Sequence, residues 1–381
     1  MGLCAALELN HRGIRCVLLE SQHEPPTDLR ASTFHPPTLE LLDHLDLTAT
    51  LLADGLRVPQ WQVRLHATHE RAVFDLAVLA DDTPYPFRLQ YEQAAFCALG
   101  WQRAAAAEHV DFRTGVAVAQ VDQDGQGVRV TAADGSSIEA DWVIAADGAS
   151  SRLRQLFALN FEGLTYPETT LLATTRFPFE AHLPGLSWVN YVWADDGTFS
   201  LLRVPDRWRV SLYPRDDESV ERALEAEQVQ ARLQEIVPNA QGYEVLECRP
   251  YRIHQRILDC YRHGRVLFAG DAAHLNSPSG GMGMNCGIHD AFNLVEKLAV
   301  VLDGEPDALL DRYDRQRRPL AREEILAQAD TNRRRMQQRD PAWRRAELER
   351  LQGIAAEPSA AREFLLRSSM IAGLRKAAAI D

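Results

Sequence analysis

The stretch Gly270-Asp271-Ala272-Ala273-His274, followed closely by Pro278-Ser279-Gly280-Gly281-Met282-Gly283-Met284-Asn285, decides the fold of this chain. An apolar run at 266–269 precedes it and is typical of a strand buried in a sheet. A helical pattern over about 287–302 follows it. Strand, glycine-rich loop and helix in this order are typical of an α/β domain that binds its ligand at the carboxyl ends of the strands.

The glycines of this stretch and its aspartate predict the kind of ligand. Backbone amides that glycine leaves uncovered, at the positive end of a helix dipole, attract an anion. Asp271, at the end of a buried strand, can accept hydrogen bonds from hydroxyl groups. A hydroxylated chain on the carboxylate and an anionic ring edge at the helix start suit a flavin, which carries both a ribityl chain and such an edge.

Two shorter patterns point the same way but also have ordinary explanations. Gly2 and Glu20 are eighteen positions apart, with a helical and a strand pattern between them. In a dinucleotide-binding unit, a glycine lets the helix pack on the sheet and an acid about 20 residues on binds ribose hydroxyls. Asp147-Gly148 follows the apolar run 142–146, where ligands of open sheets bind. Any helix–strand unit can end in glutamate, however, and Asp-Gly is a common turn.

The order of the patterns predicts an α/β protein with a discontinuous Rossmann-like nucleotide-binding domain. Parallel-type elements occur near 16, 145 and 268, and alternating stretches typical of antiparallel strands lie between them. We therefore assign 1–60, 90–164 and 251–304 to the nucleotide-binding domain. An inserted β-rich substrate domain takes 61–89 and 165–250, and a helical C-terminal segment takes 305–381.

Composition narrows the classes of function. The chain has 381 residues, 46% of them apolar and 25% charged, and its formal net charge is −13. A surface that acidic repels phosphate backbones, so we expect no nucleic acid as partner. No window of about 18 apolar residues predicts a membrane span. Six scattered cysteines without metal-ligand spacing predict reduced thiols, no metal site and a cytoplasmic location.

Taken together, the motifs resemble those of the FAD-dependent aromatic-ring hydroxylases, single-component flavoprotein monooxygenases of the p-hydroxybenzoate hydroxylase and phenol hydroxylase type. The matching pieces run in the family's order over roughly residues 1–320. They are residues 9–20, Leu29-Arg30-Ala31-Ser32, Gln90, Asp147-Gly148, residues 270–285 and residues 313–319. The resemblance implies the flavin fold, with FAD as the cofactor and NAD(P)H as co-substrate.

The resemblance also implies roles for individual residues. Glu20 is expected at the adenosine ribose, Arg30 at the pyrophosphate or ribityl region, and Asp271 at the ribityl chain. Pro278 is expected beside the flavin ring, with residues 281–285 around its pyrimidine edge. The cofactor-binding set that the resemblance implies is Gly2, Glu20, Arg30, Gln90, Asp147, Gly148, Gly270, Asp271, Pro278, Gly281, Gly283, Met284 and Asn285.

The implied reaction is hydroxylation of a phenolic or related small aromatic substrate. NAD(P)H reduces the flavin, O2 adds to give a C4a-hydroperoxide, and its distal oxygen is transferred to the ring. The substrate is expected between the flavin and the β-rich domain. There, Trp188, Tyr191, Trp193 and Phe199 either line a pocket or pack in a core. His35, His182, His254 and Tyr191 are candidate bases by residue type alone, so no catalytic residue is assigned.

Several alternatives stay open at this point. Flavin-dependent halogenases share the fold, but their Trp-x-Trp-x-Ile-Pro string does not occur in this sequence. Another flavin oxidoreductase, or a flavin-deficient or non-catalytic member of the fold, is also compatible with the motifs. Gly2 matches the last glycine of the fingerprint, so the first strand and the first two glycines have no counterpart. We therefore expect weak FAD binding and a full protein about 10–15 residues longer. A homodimer is one option for the assembly.

Overall fold

The computed structural model describes residues 1–27, 30–195, 197–215 and 218–381. Leu29, which belongs to one of the matching pieces, lies outside the described residues. The helices of the described chain are α1 (Gly2–His11), α2 (Pro36–Asp43), α3 (Thr48–Asp54), α4 (Gln93–Ala105), α5 (Arg152–Leu156), α6 (Phe179–His182), α7 (Val220–Ala223), α8 (Ala226–Ile236), α9 (Gly283–Leu302), α10 (Leu310–Pro319), α11 (Ala327–Gln337), α12 (Pro341–Ala356), α13 (Pro358–Ser368) and α14 (Ile371–Ala378).

The strands of the described residues form several sheets. They are β1 (Cys16–Glu20), β2 (Thr33–Phe34), β3 (Leu56–Val58), β4 (Gln60–Leu65), β5 (Arg71–Asp75), β6 (Arg88–Gln90), β7 (Val110–Thr114), β8 (Val118–Gln123), β9 (Val128–Ala132), β10 (Ser137–Ala140), β11 (Val143–Ala145), β12 (Phe161–Thr175), β13 (Val189–Ala194), β14 (Gly197–Val204), β15 (Arg207–Leu212), β16 (Val245–Leu258), β17 (Arg262–His263), β18 (Val266–Phe268) and β19 (His274–Leu275).

The nucleotide-binding part is built on two short parallel pairs, as the sequence predicts. β1 pairs with β7, and β11 pairs with β18, both in parallel. Helices α1, α4 and α9 pack together beside them, and their apolar faces join one large core with the strands. Parallel strands need helices on their faces because both faces must be buried. This arrangement brings the carboxyl ends of β11 and β18 together in front of α9.

The two parallel pairs are not hydrogen-bonded to each other among the described residues. Residues 1 and 2 lie between them, and a Cβ on Gly2 would be 3.3 Å from the Cβ of Ala146. Among the described residues, β1 has an unpaired edge on this side, and Val17 is 39% exposed. The expectation that a strand and two glycines are missing at this point stays a prediction.

An eight-stranded sheet forms the second layer, in the order β19-β16-β12-β15-β14-β13-β4-β5. Its pairs are antiparallel except β13 with β4, which run parallel. The sheet extends beyond the boundaries expected for the substrate domain. β12 begins at Phe161 and β16 ends at Leu258, so both long strands reach from the β-rich core into the nucleotide-binding part. The division into domains stays a prediction, and these strands connect its two parts.

The C-terminal segment is helical, as expected, and packs against the sheet. Asp82, beyond the β4–β5 hairpin, accepts hydrogen bonds from Arg362 on α13 and Arg375 on α14. Arg344 on α12 donates to the carbonyl oxygens of Ala194 and Gly197, which flank the β13–β14 turn. These contacts attach the helices to the outer end of the sheet. In the part of the chain that the structure describes, no helix combines the length and apolar character needed to cross a membrane.

Candidate functional site

A cavity of about 280 Å³ lies where the nucleotide-binding part, the eight-stranded sheet and the C-terminal helices meet. One wall is the glycine-rich loop at 278–284 together with Asp271 and Arg30. The opposite wall is the sheet, which contributes Trp61, Tyr191 and Arg209 among others. Residues of α11 and α13 close the third side. The cavity therefore joins the predicted flavin site to an aromatic pocket without a barrier between them.

The glycine-rich loop packs so closely on its neighbours that a side chain at its glycine positions would not fit. Gly280 and Gly281 have φ angles of +100° and +67°, in the region that favours glycine. A Cβ on Gly281 would lie 2.9 Å from the Cβ of Thr33. α9 begins at Gly283, and the side chain of its N-cap residue, Met282, accepts no hydrogen bond from the first amides. These free N–H groups at the positive end of a 20-residue helix face the cavity and can bind an anionic ring edge.

Asn285 holds the loop in place rather than facing the cavity. Its Nδ2 donates to the carbonyl oxygens of Thr33 at 2.8 Å and Gly281 at 2.7 Å. Its Oδ1 accepts from the backbone N–H of His35 and from the hydroxyl of Thr38. The side chain is fully buried with both ends satisfied. Its predicted contact with the flavin stays a prediction, and the structure assigns the side chain a positioning role.

His35 also contacts the glycine-rich loop. Its Nε2 lies 2.9 Å from the carbonyl oxygen of Gly280. Burial, and next the positive charge of Arg88, lower the pKa of His35 to about 3. The ring is therefore neutral near pH 7, and Nε2–H is the donor to Gly280. A neutral ring already engaged with the loop is poorly placed to act as a base on the substrate.

Asp271 presents its carboxylate to the cavity. None of the described residues donates a hydrogen bond to it, although its oxygens are accessible from the cavity. The surrounding protein atoms desolvate the carboxylate and raise the pKa of Asp271, while the positive charges of His274 and Arg30 oppose that effect. An exposed carboxylate on the cavity wall with unused acceptor capacity is suited to a ligand that brings hydroxyl groups.

A buried cluster of ion pairs stabilises the segment that carries Asp271. Asp290 on α9 lies 2.8 Å from Nε2 of His274 and 2.6 Å from Nε of Arg317 on α10. It also accepts from the backbone N–H of Gly270. Cys286 completes a group of atoms with metal-ligand spacing. The guanidinium of Arg317 already occupies that space, 3.3 Å from the sulfur of Cys286, so the cluster serves as an anchor for the strand–loop–helix unit.

A second group of predicted residues lies at the carboxyl ends of β1 and β11, outside the lining of the cavity. Glu20 accepts from the backbone N–H of Gln22 at 2.8 Å. Asp147 accepts from the backbone N–H of Leu153, at the start of α5, at 2.9 Å. Gly148 has a φ of +77°, which explains glycine there. These residues and Gly2 lie along the edge where an adenosine end is expected. Their roles toward the cofactor stay predictions.

The remaining predicted residues differ in their placement. Arg30, Pro278, Gly281, Gly283 and Met284 line the cavity with Asp271. Gln90 is fully buried and exchanges hydrogen bonds with Ser32 and Thr33. Gly270 is buried at the turn before Asp271, with a φ of +61°. Gln90 and Gly270 therefore shape the wall, and their direct contact with the cofactor stays a prediction.

The aromatic residues of the β-rich part divide between pocket and core. Tyr191 lines the cavity. Trp193 and Phe199 are 1% and 5% exposed and pack in cores, as does the partly buried Trp188. Sequence reasoning did not single out Arg88, Arg209 or the residues of α11 and α13 that line the cavity. No sequence signal marks them, because their position depends on how the sheet and C-terminal helices come together.

These residues fit FAD. The carboxylate of Asp271 has acceptor capacity that nothing in the described chain uses, and the uncapped start of α9 offers donors on the same cavity wall. The space in front of the loop exists because Gly280 and Gly281 carry no side chain. A ligand with a hydroxylated chain and an anionic ring edge matches both features.

Comparison with known proteins agrees with this geometry. Residues 1–328 match the family model described as "FAD binding domain". The chain is 32% identical over 386 residues to para-nitrophenol 4-monooxygenase of Pseudomonas sp. strain WBC-3, covering 98% of this chain and 94% of that protein. It is 31% identical to 6-hydroxy-3-succinoylpyridine 3-monooxygenase HspB of Pseudomonas putida, covering 90% and 88%.

A solved structure is similar over almost the whole chain. The crystal structure of p-nitrophenol 4-monooxygenase PnpA from Pseudomonas putida DLL-E4 superposes with a TM-score of 0.88 at 32% identity. The match covers 96% of this chain and 93% of that one. The expected flavin fold with its β-rich layer and helical C-terminus is therefore confirmed.

Proposed function

This chain belongs to the FAD-binding domain family of flavoprotein monooxygenases, and from that premise we propose that it hydroxylates a small phenolic substrate with NAD(P)H and O2. One observation carries the proposal. The cavity at the glycine-rich loop continues without interruption into a pocket with aromatic and polar walls, so that a flavin ring and a substrate ring can lie side by side. A cytoplasmic location fits the six cysteines, which form no disulfide bond among the described residues, and is part of the proposal. We also propose that the protein forms a homodimer.

The chain's own residues bind and orient the reacting groups. When bound, FAD supplies the redox and oxygen chemistry. Asp271 accepts hydrogen bonds from the hydroxylated chain, and the first amides of α9 bind the anionic edge of the ring. Arg30 adds positive charge on the same wall. The rings of Trp61 and Phe364 give the substrate end an apolar surface that excludes water.

The test begins with the colour of the purified protein. Flavin absorbance, bleaching by NADH or NADPH, and faster oxidation of the nucleotide with 4-nitrophenol are the expected results. Mass spectrometry under labelled O2 should show one labelled oxygen atom in the product. A folded protein that takes up no FAD contradicts the proposal. Nucleotide oxidation without a hydroxylated product, over a panel of phenols, indicates a flavin oxidoreductase of another kind.

A second candidate is a member of the fold that binds FAD too weakly to react. It is favoured because β1 and β11 each have an unpaired edge in the described part of the chain, beside Gly2 and Asp147, where an adenosine end is expected. Titration of the apoprotein with FAD separates the two candidates. If the apoprotein is saturated at micromolar FAD, the result supports the monooxygenase. If binding does not saturate, the result supports the second candidate.

A further inference from the structure

Arg88 differs from every other buried arginine of the described chain. Five of the six place their guanidinium nitrogens against carbonyl oxygens, carboxylates or a ring nitrogen. They are Arg64, Arg154, Arg209, Arg317 and Arg344. Arg88 is 3% exposed, its Nε has no partner, and its guanidinium interacts with the hydroxyl of Tyr191, while no carboxylate or carbonyl oxygen of the described residues pairs with it. A buried charge without compensation is costly, so its retention needs an explanation.

The position of Arg88 aims its charge into the cavity. It begins β6, the strand that pairs with β2 and β3 beside the glycine-rich loop. Alternation along the strand places Leu89 on the opposite side from Arg88. The guanidinium carbon lies 4.9 Å from the centre of the Trp61 ring, and the hydroxyl of Tyr191 lies beside it. Arg88, Trp61 and Tyr191 all line the cavity.

The other basic groups near Arg88 already have partners of their own. Arg335, the second arginine at the substrate end, already pairs with Glu347 at 3.0 Å. Arg209 pairs with Glu92. His35, which lies near Arg88, is neutral and bonded to Gly280. At the substrate end of the pocket, Arg88 is therefore the arginine that has no carboxylate partner among the described residues, and it lies next to aromatic rings.

We propose that Arg88 binds a negatively charged oxygen group carried by the aromatic substrate, whose ring packs beside Trp61 and Tyr191. The substrate class is an arene with an oxyanion, either a phenolate or a carboxylate. The proposal rests on the proposed function, since it concerns the same pocket. A guanidinium is suited to this role because it presents several N–H donors in one plane and stays charged when buried.

Ligand binding to the FAD-loaded protein without NAD(P)H tests the proposal. The first pair of probes is 4-hydroxybenzoate and its neutral amide, 4-hydroxybenzamide. The second is 4-nitrophenol above its own pKa and its neutral methyl ether, 4-nitroanisole. Equilibrium dialysis should show wild type binding the anion of at least one pair about 10- to 100-fold more tightly than its neutral partner. The pair that shows this preference distinguishes a phenolate from a carboxylate.

Two variants assign the preference to Arg88. Arg88→Met should bind the anion and its neutral partner about equally, and Arg88→Lys should recover part of the preference. Arg345→Met is the matched control, because it removes one positive charge from an exposed position outside the cavity and should keep the preference. If wild type shows no preference for either anion, or if Arg88→Met keeps it, the proposal is overturned.

Thermal unfolding without ligand separates binding from a structural role. Removing a buried charge that has no partner should leave the melting temperature of Arg88→Met equal to that of wild type or higher. A clear drop that Arg88→Lys reverses, with anion preference intact in the folded fraction, would show a structural arginine and overturn the proposal. Hydroxylation of a neutral arene by wild type would still support the proposed function, so the two failures are distinguishable.

Discussion

The side-chain amide of Asn285 donates to the carbonyl oxygen of Thr33 at 2.8 Å, across 252 positions of the chain. This contact ties the start of α9 to β2 and so sets the distance between the glycine-rich loop and the wall that Gln90 supports. The loop can take its close position because Gly281 meets Thr33 without a side chain between them.

Asn285→Ala should destabilise the protein and loosen the flavin site. The substitution removes both the donor to Thr33 and the acceptor for Thr38, and it leaves buried polar groups unpaired. We expect a loss of about 2–4 kcal/mol in the free energy of unfolding, measured with urea. Asn293→Ala on the same helix is the control, since that side chain is half-buried and donates to Gln316 alone, so its cost should be smaller. Equal costs would count against a special role for Asn285.

Asp271→Asn should weaken FAD binding while stabilising the empty protein. The pKa of Asp271 is raised in the folded state, so the carboxylate favours folding only while it is protonated. Above pH 3.8, its ordinary pKa, that contribution is lost as pH rises through the raised value. The variant should therefore melt higher than apo wild type near neutral pH, and the difference should shrink toward pH 3.8.

FAD titration provides the other half of that test. Amide in place of carboxylate removes charge-assisted hydrogen bonds to hydroxyl groups, so we expect about a tenfold weaker Kd. Asp259→Asn, outside the lining of the cavity, is a control for the change in net charge. Unchanged FAD affinity in Asp271→Asn would remove Asp271 from the cofactor site.

Arg317→Met should be among the most destabilising single changes. It leaves the fully buried carboxylate of Asp290 without its guanidinium partner, and breaking such a pair costs about 3–5 kcal/mol. Arg318→Met, on the same helix, removes a partly exposed pair with Asp314 and should cost less than about 1 kcal/mol. The double variant Asp290→Asn/Arg317→Met should cost less than the sum of its single changes, and additivity would contradict the coupling.

Acid unfolding should report the same cluster. Burial alone would raise the pKa of Asp290, but Arg317 and His274 overcome it and hold the value at about 2. A depressed folded pKa stabilises the protein above the ordinary value of 3.8, and this stabilisation is lost as pH falls from 3.8 toward about 2. Wild type should thus lose stability steeply in that window, and Asp290→Asn should have a shallower slope.

Phe364→Ala should uncouple nucleotide oxidation from hydroxylation. Phe364, on α13, stacks on Trp61 and Phe74 and closes the substrate end of the cavity. Opening that wall admits water, so we expect less hydroxylated product for each NAD(P)H consumed. Phe364→Leu keeps an apolar side chain and should stay closer to wild type. Product per NAD(P)H that is unchanged in Phe364→Ala would mean that α13 does not seal the pocket.

Local pattern predicted the strand–loop–helix unit at 266–302, antiparallel strands in the β-rich part, and the helical C-terminus. These elements depend on hydrophobic period and on glycine, which neighbouring residues express. The same reasoning predicted helices in the C-terminal segment and named no site residue there. It also left open whether Trp193 and Phe199 line the pocket or pack in a core. Only the packed structure showed that both lie in cores.

The sequence by itself determined the chemistry of the flavin side, because a glycine-rich helix start that follows a buried strand and Asp271 is a local feature that dictates its own donors and acceptors. The tertiary structure alone decided the substrate side. Arg88 is identified as a binding residue only from the packing of β6, the eight-stranded sheet and α13. A guanidinium is costly only when its surroundings exclude both water and carboxylates, and only the packed chain shows this. Burial and the absence of a partner are properties of the packed chain, and no local sequence pattern carries them.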